Sequence, residues 1–482
     1  MFTKRDYINW QTCRRIPKLE KALNYNEELD GFRKLMVEQG YDFEDLVKST
    51  FPTLERIDIK CDIKSQVKKT RDFIEKGEGL LAEAVFADQH CMVRVDVLEV
   101  TASGLNLYEI KASSNVKEEH KTELAFQRTL IENLGYKILN FYVIHYDGKY
   151  ELDKKLNLLS FIKQEHISLD TLDNYCSLSD YQNFTQDVMN NSLADVKVIA
   201  DCLECPFKTH CIKDYHTATV FQLYNVNAST KVKNYNEGRK QLSDLNYKKL
   251  NLFNNNIINS KTNPVIIHKN LIKQHLAKLK YPIYYLDFET AIMTIPKYPK
   301  TKAKQQNLFQ YSLHIKKSKN KITHKEYLIE PNHYDLDGLV KQLIKDLSSN
   351  GTIYVYNQKF ESEILKDLKR MYPEYKDKID LILDRMEDLM EVFQKGYYYN
   401  KDFGSSVSLK KVLTTLFPND DSLDYSKLNQ VHDGMEATHA WLNLENKSKT
   451  AINKTINNLK KYCQLDTYAM VKIHEYLENL VN

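Results

Sequence analysis

The sequence predicts an α/β protein of two domains joined by a helical connector, on three observations. At 482 residues the chain is long for one hydrophobic core and sufficient for two or three. Segments of strand period lead into helical runs twice, first over residues 92–134 and again from residue 283 to the C-terminus. Between them residues 229–262 turn polar, with Lys231, Lys233, Asn234 and Asn236, while Leu242, Leu245, Leu250 and Phe253 keep a helical spacing. The expected organisation is a first domain over residues 1–225, a connector over 226–280 and a second domain over 281–482.

In the first domain, Met92 to Leu98 alternates in strand period and places Asp96 on the face opposite Val93, Val95 and Val97. The next strand, Leu107 to Ala112, puts Glu109 and Lys111 on one face. Glu83 stands on an expected helical run before these strands, and Gln127 on an expected helix over residues 118–134. Two carboxylates and a lysine in this order resemble the D…ExK pattern of the PD-(D/E)XK nucleases. The resemblance implies a restriction-endonuclease-like fold. In it Asp96 and Glu109 hold a metal ion, Glu83 adds a further carboxylate, and Lys111 positions water and offsets phosphate charge. Gln127 resembles the helix glutamine of the RecB-like branch, but Ile131 stands where a tyrosine often follows it.

Cysteine spacing adds to this pattern. Cys202-x2-Cys205-x5-Cys211 is a cluster of three thiols, and Cys13 near the N-terminus is the obvious fourth donor for a tetrahedral or cubane site. One early and three late cysteines resemble the iron–sulfur staple of AddAB-type helicase-nucleases and CRISPR-associated exonucleases, which implies a [4Fe-4S] cluster, with structural Zn²⁺ as the alternative. Cys61, Cys91, Cys176 and Cys463 lack regular spacing, and no apolar leader follows Met1, so a disulfide framework is not expected.

The second domain opens on Tyr284-Tyr285-Leu286-Asp287-Phe288-Glu289-Thr290, an apolar strand that sends Asp287 and Glu289 to one face. Hard oxygen ligands of this kind suit Mg²⁺ or Mn²⁺. Far downstream, Tyr462 and Asp466 sit four residues apart and share a helix face. Further strands are expected over residues 308–315, 325–330 and 352–357, the last leading to Glu361, with helices to the end. This set resembles the tyrosine-type DEDD exonucleases of the ribonuclease H-like fold. Asp287 and Glu289 match the first motif, and Tyr462 with Asp466 the third. Glu361 stands in the middle motif where aspartate is usual, and Asp388 is the alternative. The resemblance implies carboxylates that gather divalent ions, with Tyr462 orienting water. The two modules in this order resemble a bacterial fusion family, with particular similarity from Asp287 to Ile315.

Net charge is only +4, so nucleic-acid affinity would come from local patches rather than a global field. Lys297, Lys300, Lys302 and Lys304 offer one such patch or a mobile solvated loop, and Tyr397, Tyr398 and Tyr399 offer base stacking or core packing. His120, His210 and His439 have no paired spacing. No apolar run approaches about 18 residues, which leads to the expectation of a cytoplasmic protein without a membrane partner. The expected activity is metal-dependent phosphodiester hydrolysis at two centres, on DNA in preference to RNA, with a nucleic-acid-binding protein of one inactive centre or an RNA-directed exonuclease as the alternatives.

Overall fold

The computed structural model describes the chain apart from residues 27, 191, 192, 194, 195, 213, 214, 216–218, 247–249, 319 and 320. It is mixed α/β and forms two compact units, Met1–Lys197 with Met293–Gln305, and Val198–Ile292 with Gln306–Asn482. The boundary thus falls at residue 198 rather than 226, and the connector belongs to the second unit. The connector is largely helical. It runs through helix Ala228–Asn236, a 3-10 turn at Leu242–Asp244, helices Leu252–Asn259 and Lys269–Leu276, and a short strand.

Among the described residues, six strands build the first unit: β1 (Glu55–Arg56), β2 (Gly79–Ala87), β3 (Met92–Thr101), β4 (Gly104–Lys111), β5 (Ile138–Tyr146) and β6 (Ile162–Ile167). They lie side by side in sequence order in one sheet. β1 and β2 are parallel, as are β4 and β5, and the remaining neighbours are antiparallel. The parallel pairs are joined by helices Ile63–Lys76 and Glu118–Asn133, as parallel connections require. Alternation decides the faces: Val93, Val95 and Val97 are buried and Asp96 is half-buried. Glu83 lies on β2 and not on a helix. The Leu-Ala-Glu-Ala run has helical propensity, but sheet pairing on both sides of β2 overrides it.

The second unit is organised around β8 (Ile283–Ile292), β9 (Gln306–Ser318), β10 (Lys321–Leu328), β11 (Thr352–Val355) and β12 (Met386–Asp388), in the order β10-β9-β8-β11-β12. β7 (Val265–Ile267) pairs separately with β13 (Tyr398–Asn400). β8 pairs antiparallel with β9 and parallel with β11, so it is paired on both edges and buried along nearly its whole length, with Asp287, Glu289 and Thr290 interrupting an otherwise apolar sequence. The C-terminal helix Lys449–Val481 packs on β8 and β9, burying Leu459, Tyr462, Cys463, Asp466, Met470, Ile473 and Leu477 at helical spacing. Tyr398 and Tyr399 are core residues, which removes them as a stacking platform.

The lysine-bearing loop at Met293–Gln305 is tied down within the first unit. Lys300 N–H donates to the Leu152 carbonyl, Leu152 N–H to that of Thr301 and Lys304 N–H to that of Met293, and Thr301 is fully buried. The solvated-loop expectation therefore fails for its backbone. Among the described residues, no helix is long and apolar enough to cross a membrane.

Candidate metal centre

β8 delivers Asp287 and Glu289 to a point on the C-terminal helix at Cys463. One ligand atom from each of Asp287, Glu289 and Cys463 lies within 4.8 Å of the other two. The Cys463 thiol donates to Asp287 Oδ2 at 3.4 Å. Asp466 lies one turn further along the same helix and accepts a short hydrogen bond from the Tyr425 hydroxyl through Oδ1. Lys410 carries its ammonium over the rings of Tyr425 and Tyr462, at 4.8 and 5.1 Å from their centroids.

β11 ends at Val355, and Asn357 adopts a left-handed φ of 80° to start helix Gln358–Met371, which carries Glu361. Glu361 is 2% exposed, and its Oε2 has no hydrogen-bond partner among the described residues. Asp388 is committed elsewhere. Its carboxylate accepts backbone N–H groups from Asn357, Gln358 and Met390 at 3.1, 3.0 and 2.9 Å, so it caps the start of that helix. Of the two middle-motif candidates, Glu361 has a free oxygen and Asp388 has a structural task.

The electrostatics follow from this crowding. Burial, and then Asp466, push the Asp287 carboxyl well above its usual range. Burial, Asp287 and Asp466 do the same to Glu289, and burial and Asp287 to Glu361. Asp466 is raised by burial but restrained by the Tyr425 hydrogen bond and by Lys410. Tyr462 is held as a neutral phenol by burial and by Asp466, Glu289 and Asp287. A divalent cation fits this donor set, because it would neutralise carboxylates that otherwise hold protons against repulsion.

A family model described as a domain of unknown function, DUF2779, matches residues 284–408. That span holds Asp287, Glu289 and Glu361. The uncharacterized protein MG366 of Mycoplasma genitalium is 22% identical over 538 aligned positions, covering 86% of this chain and 80% of that protein. The uncharacterized MG366 homolog of Mycoplasma pneumoniae is 29% identical over 118 positions, covering 23% of this chain and 18% of that protein.

The first unit gathers a second cluster. Glu109 is 2% exposed. Its Oε1 receives the ammoniums of Lys111 at 2.9 Å and, in a short contact, Lys4, while Oε2 accepts from Gln127 Nε2 at 2.8 Å. Glu123 bridges both lysines, 2.6 Å from Lys111 and 3.3 Å from Lys4. Burial pushes the Glu109 carboxyl up, but Lys111 and Lys4 outweigh it and hold the group ionised. Asp96 is raised by burial and by Glu109, and its Oδ2 accepts the Ile110 N–H at 2.6 Å. Asp96, Glu109, Lys111 and Gln127 therefore do come together. Glu83 is committed to Lys48 and to Arg94, the latter at 3.6 Å.

Sequence reasoning passed over Lys4, Glu123, Lys410, Tyr425 and Cys463. Cys463 had a usable signal, since it stands three residues before Asp466 and so shares its helix face. Glu123 had one too, four residues before Gln127 on the same expected helix, while Lys4, Lys410 and Tyr425 come from segments without a motif. Lys4→Met should destabilise the protein by about 1–2 kcal/mol, because it takes one of two ammoniums from a buried carboxylate. A double-mutant cycle with Glu109→Gln in thermal melts checks it. Most of the loss should vanish in the double variant, whereas simple additivity would mean that the two groups do not interact.

Cys202 lies on a 3-10 turn at Ala200–Leu203, Cys211 on a helical turn at Lys208–Cys211 and Cys205 between them, all three residues half-buried. These three belong to the second unit, and Cys13 to the first.

Proposed function

We propose that this chain is a metal-dependent nuclease whose working centre is the carboxylate cluster of the second unit, a unit of ribonuclease H-like fold. The observation that supports this best is that Asp287 and Glu289 converge within 4.8 Å on the C-terminal helix, with Asp466 of that helix and the buried Glu361 close enough for charge interaction with Asp287. A divalent ion held by Asp287, Glu289, Asp466 and Glu361 would supply Lewis acidity and offset the charge of a phosphodiester. The residues themselves supply the rest. Tyr425 fixes one oxygen of Asp466, and Tyr462, kept protonated, can donate a hydrogen bond to an incoming water or phosphate oxygen. Lys410 holds the two tyrosines against each other through its ammonium. The substrate on this reading is nucleic acid, DNA in preference to RNA.

For the first unit, with its PD-(D/E)XK-like residue set, one observation favours a second reading. Both oxygens of Glu109 are engaged by Lys4, Lys111 and Gln127, so an ion would have to displace Lys4. That unit then contributes binding of nucleic acid rather than a second cleavage centre. The test is degradation of end-labelled single- and double-stranded DNA and RNA by the purified protein with Mg²⁺ or Mn²⁺. Lys111→Ala should leave the cleavage rate within about threefold, and a loss of two orders of magnitude would restore the two-centre reading.

The cysteine triplet supports a thiolate-held metal cofactor, a [4Fe-4S] cluster with Zn²⁺ as the alternative, since three half-buried thiols within ten residues of chain fit such ligation. Protein purified without oxygen should contain iron and acid-labile sulfide, and Cys205→Ser should lose both. Stoichiometric zinc without iron would select the alternative.

A further inference from the structure

Beyond the carboxylates, the centre of the second unit holds a thiol that an oxygen-only site for Mg²⁺ does not need. Cys463 is fully buried and its Sγ stands 3.4 Å from Asp287 Oδ2, inside the set of donor atoms that lie within 4.8 Å of one another. Helix spacing explains the placement. Cys463 and Asp466 are three residues apart on the helix that packs against β8, so both face the carboxylates of that strand. An independent feature points to a ligand at the same place. Glu361 is 2% exposed, its Oε2 is unpartnered among the described residues, and its strongest charge interaction is with Asp287. A buried carboxylate oxygen without a partner costs free energy unless something occupies it.

We propose that Asp287, Glu289 and Cys463 form a mixed carboxylate–thiol site that favours thiophilic divalent cations, Zn²⁺ and Cd²⁺, over Mg²⁺ and Mn²⁺. The inference rests on the divalent-ion reading of this centre and adds the class of ion. Carboxylate oxygens accept hard and soft ions alike, whereas sulfur adds affinity chiefly for the softer ones. A hard ion would leave the thiol protonated on Asp287. A thiophilic ion would displace that proton to solvent and take sulfur as a third ligand.

Cd²⁺ and Mn²⁺ share a charge and are similar in size, so their competition isolates softness. Mn²⁺ bound to the full-length protein is followed by electron paramagnetic resonance, and the part of the binding that disappears in Asp287→Asn marks this centre. Cd²⁺ is then titrated against that Mn²⁺. In Cys463→Ser and Cys463→Ala the apparent Cd²⁺ affinity should fall at least about 10-fold, with Mn²⁺ affinity changed less than about threefold. Reading displaced Mn²⁺ leaves the cysteine triplet out of the measurement, because thiolates alone do not retain Mn²⁺. Equal Cd²⁺ competition in wild type and variants overturns the proposal. Should both variants fail to fold, the wild type decides it. Release of Mn²⁺ by Cd²⁺ should bring, in proportion, a cadmium–thiolate ultraviolet band beyond the one that Asp287→Asn gives through its other thiols, and release without that excess overturns the proposal. If Asp287→Asn removes no Mn²⁺ binding at all, the divalent-ion reading itself fails and this inference falls with it.

Discussion

Asp287→Asn is expected to lower divalent-ion-dependent cleavage at least about 100-fold and, without metal, to make the protein more stable than wild type at neutral pH. The two effects share one cause. Asp287 is pushed up by burial and by Asp466, and it raises Glu289 and Glu361 in turn. For a group whose folded pKa is raised, the folded state binds more protons than the unfolded state. Stability is then fully present below the unfolded carboxylate value of about 4 and is lost as pH rises through the raised folded values. Wild-type protein without metal should therefore melt at progressively lower temperature from about pH 4 upward, and a divalent ion should reverse the loss. The amide removes one charge from the cluster, which should return about 1 kcal/mol or more at neutral pH. Thermal melts from acid to neutral pH, with and without Mn²⁺, check the sign. A variant that melts below wild type across the whole range would show that the carboxylate is needed for folding and not held against repulsion.

Glu361→Gln and Asp388→Ala should separate activity from stability. Glu361→Gln keeps the shape of a buried side chain that has an unpartnered oxygen, so the protein should fold normally and lose about 100-fold in rate. Asp388→Ala removes the acceptor of three backbone N–H groups, two at the start of helix Gln358–Met371 and one at Met390, and should cost roughly 3 kcal/mol. Denaturant midpoints and cleavage rates on the same two proteins check this. A stable Asp388→Ala protein that has lost activity, beside an active Glu361→Gln protein, would move the middle carboxylate to Asp388.

The strands that carry Asp96, Glu109, Asp287 and Glu289 were legible because alternation or a largely apolar run records which positions are buried. That Tyr462 and Asp466 share a helix face was legible from their spacing, while their selection came from the resemblance. Glu83 was misplaced because its local run favours a helix, while the pairing that makes it a strand comes from β1 and β3. Lys4 reaches Glu109 across a sequence separation of 105, and Tyr425 reaches Asp466 across 41, so neither contact leaves a local periodicity. The packing of Met293–Gln305 with the first unit is likewise decided by tertiary contacts such as Thr294 N–H to Gln39 Oε1, at 2.7 Å. The division at residue 198 has no composition shift to announce it.

The most direct test is release of labelled nucleotides from end-labelled single-stranded DNA by wild-type and Asp287→Asn protein, each with Mn²⁺ and with chelator. The carboxylate centre predicts release only by wild type with Mn²⁺. Equal release by Asp287→Asn, or release that survives the chelator, would contradict it.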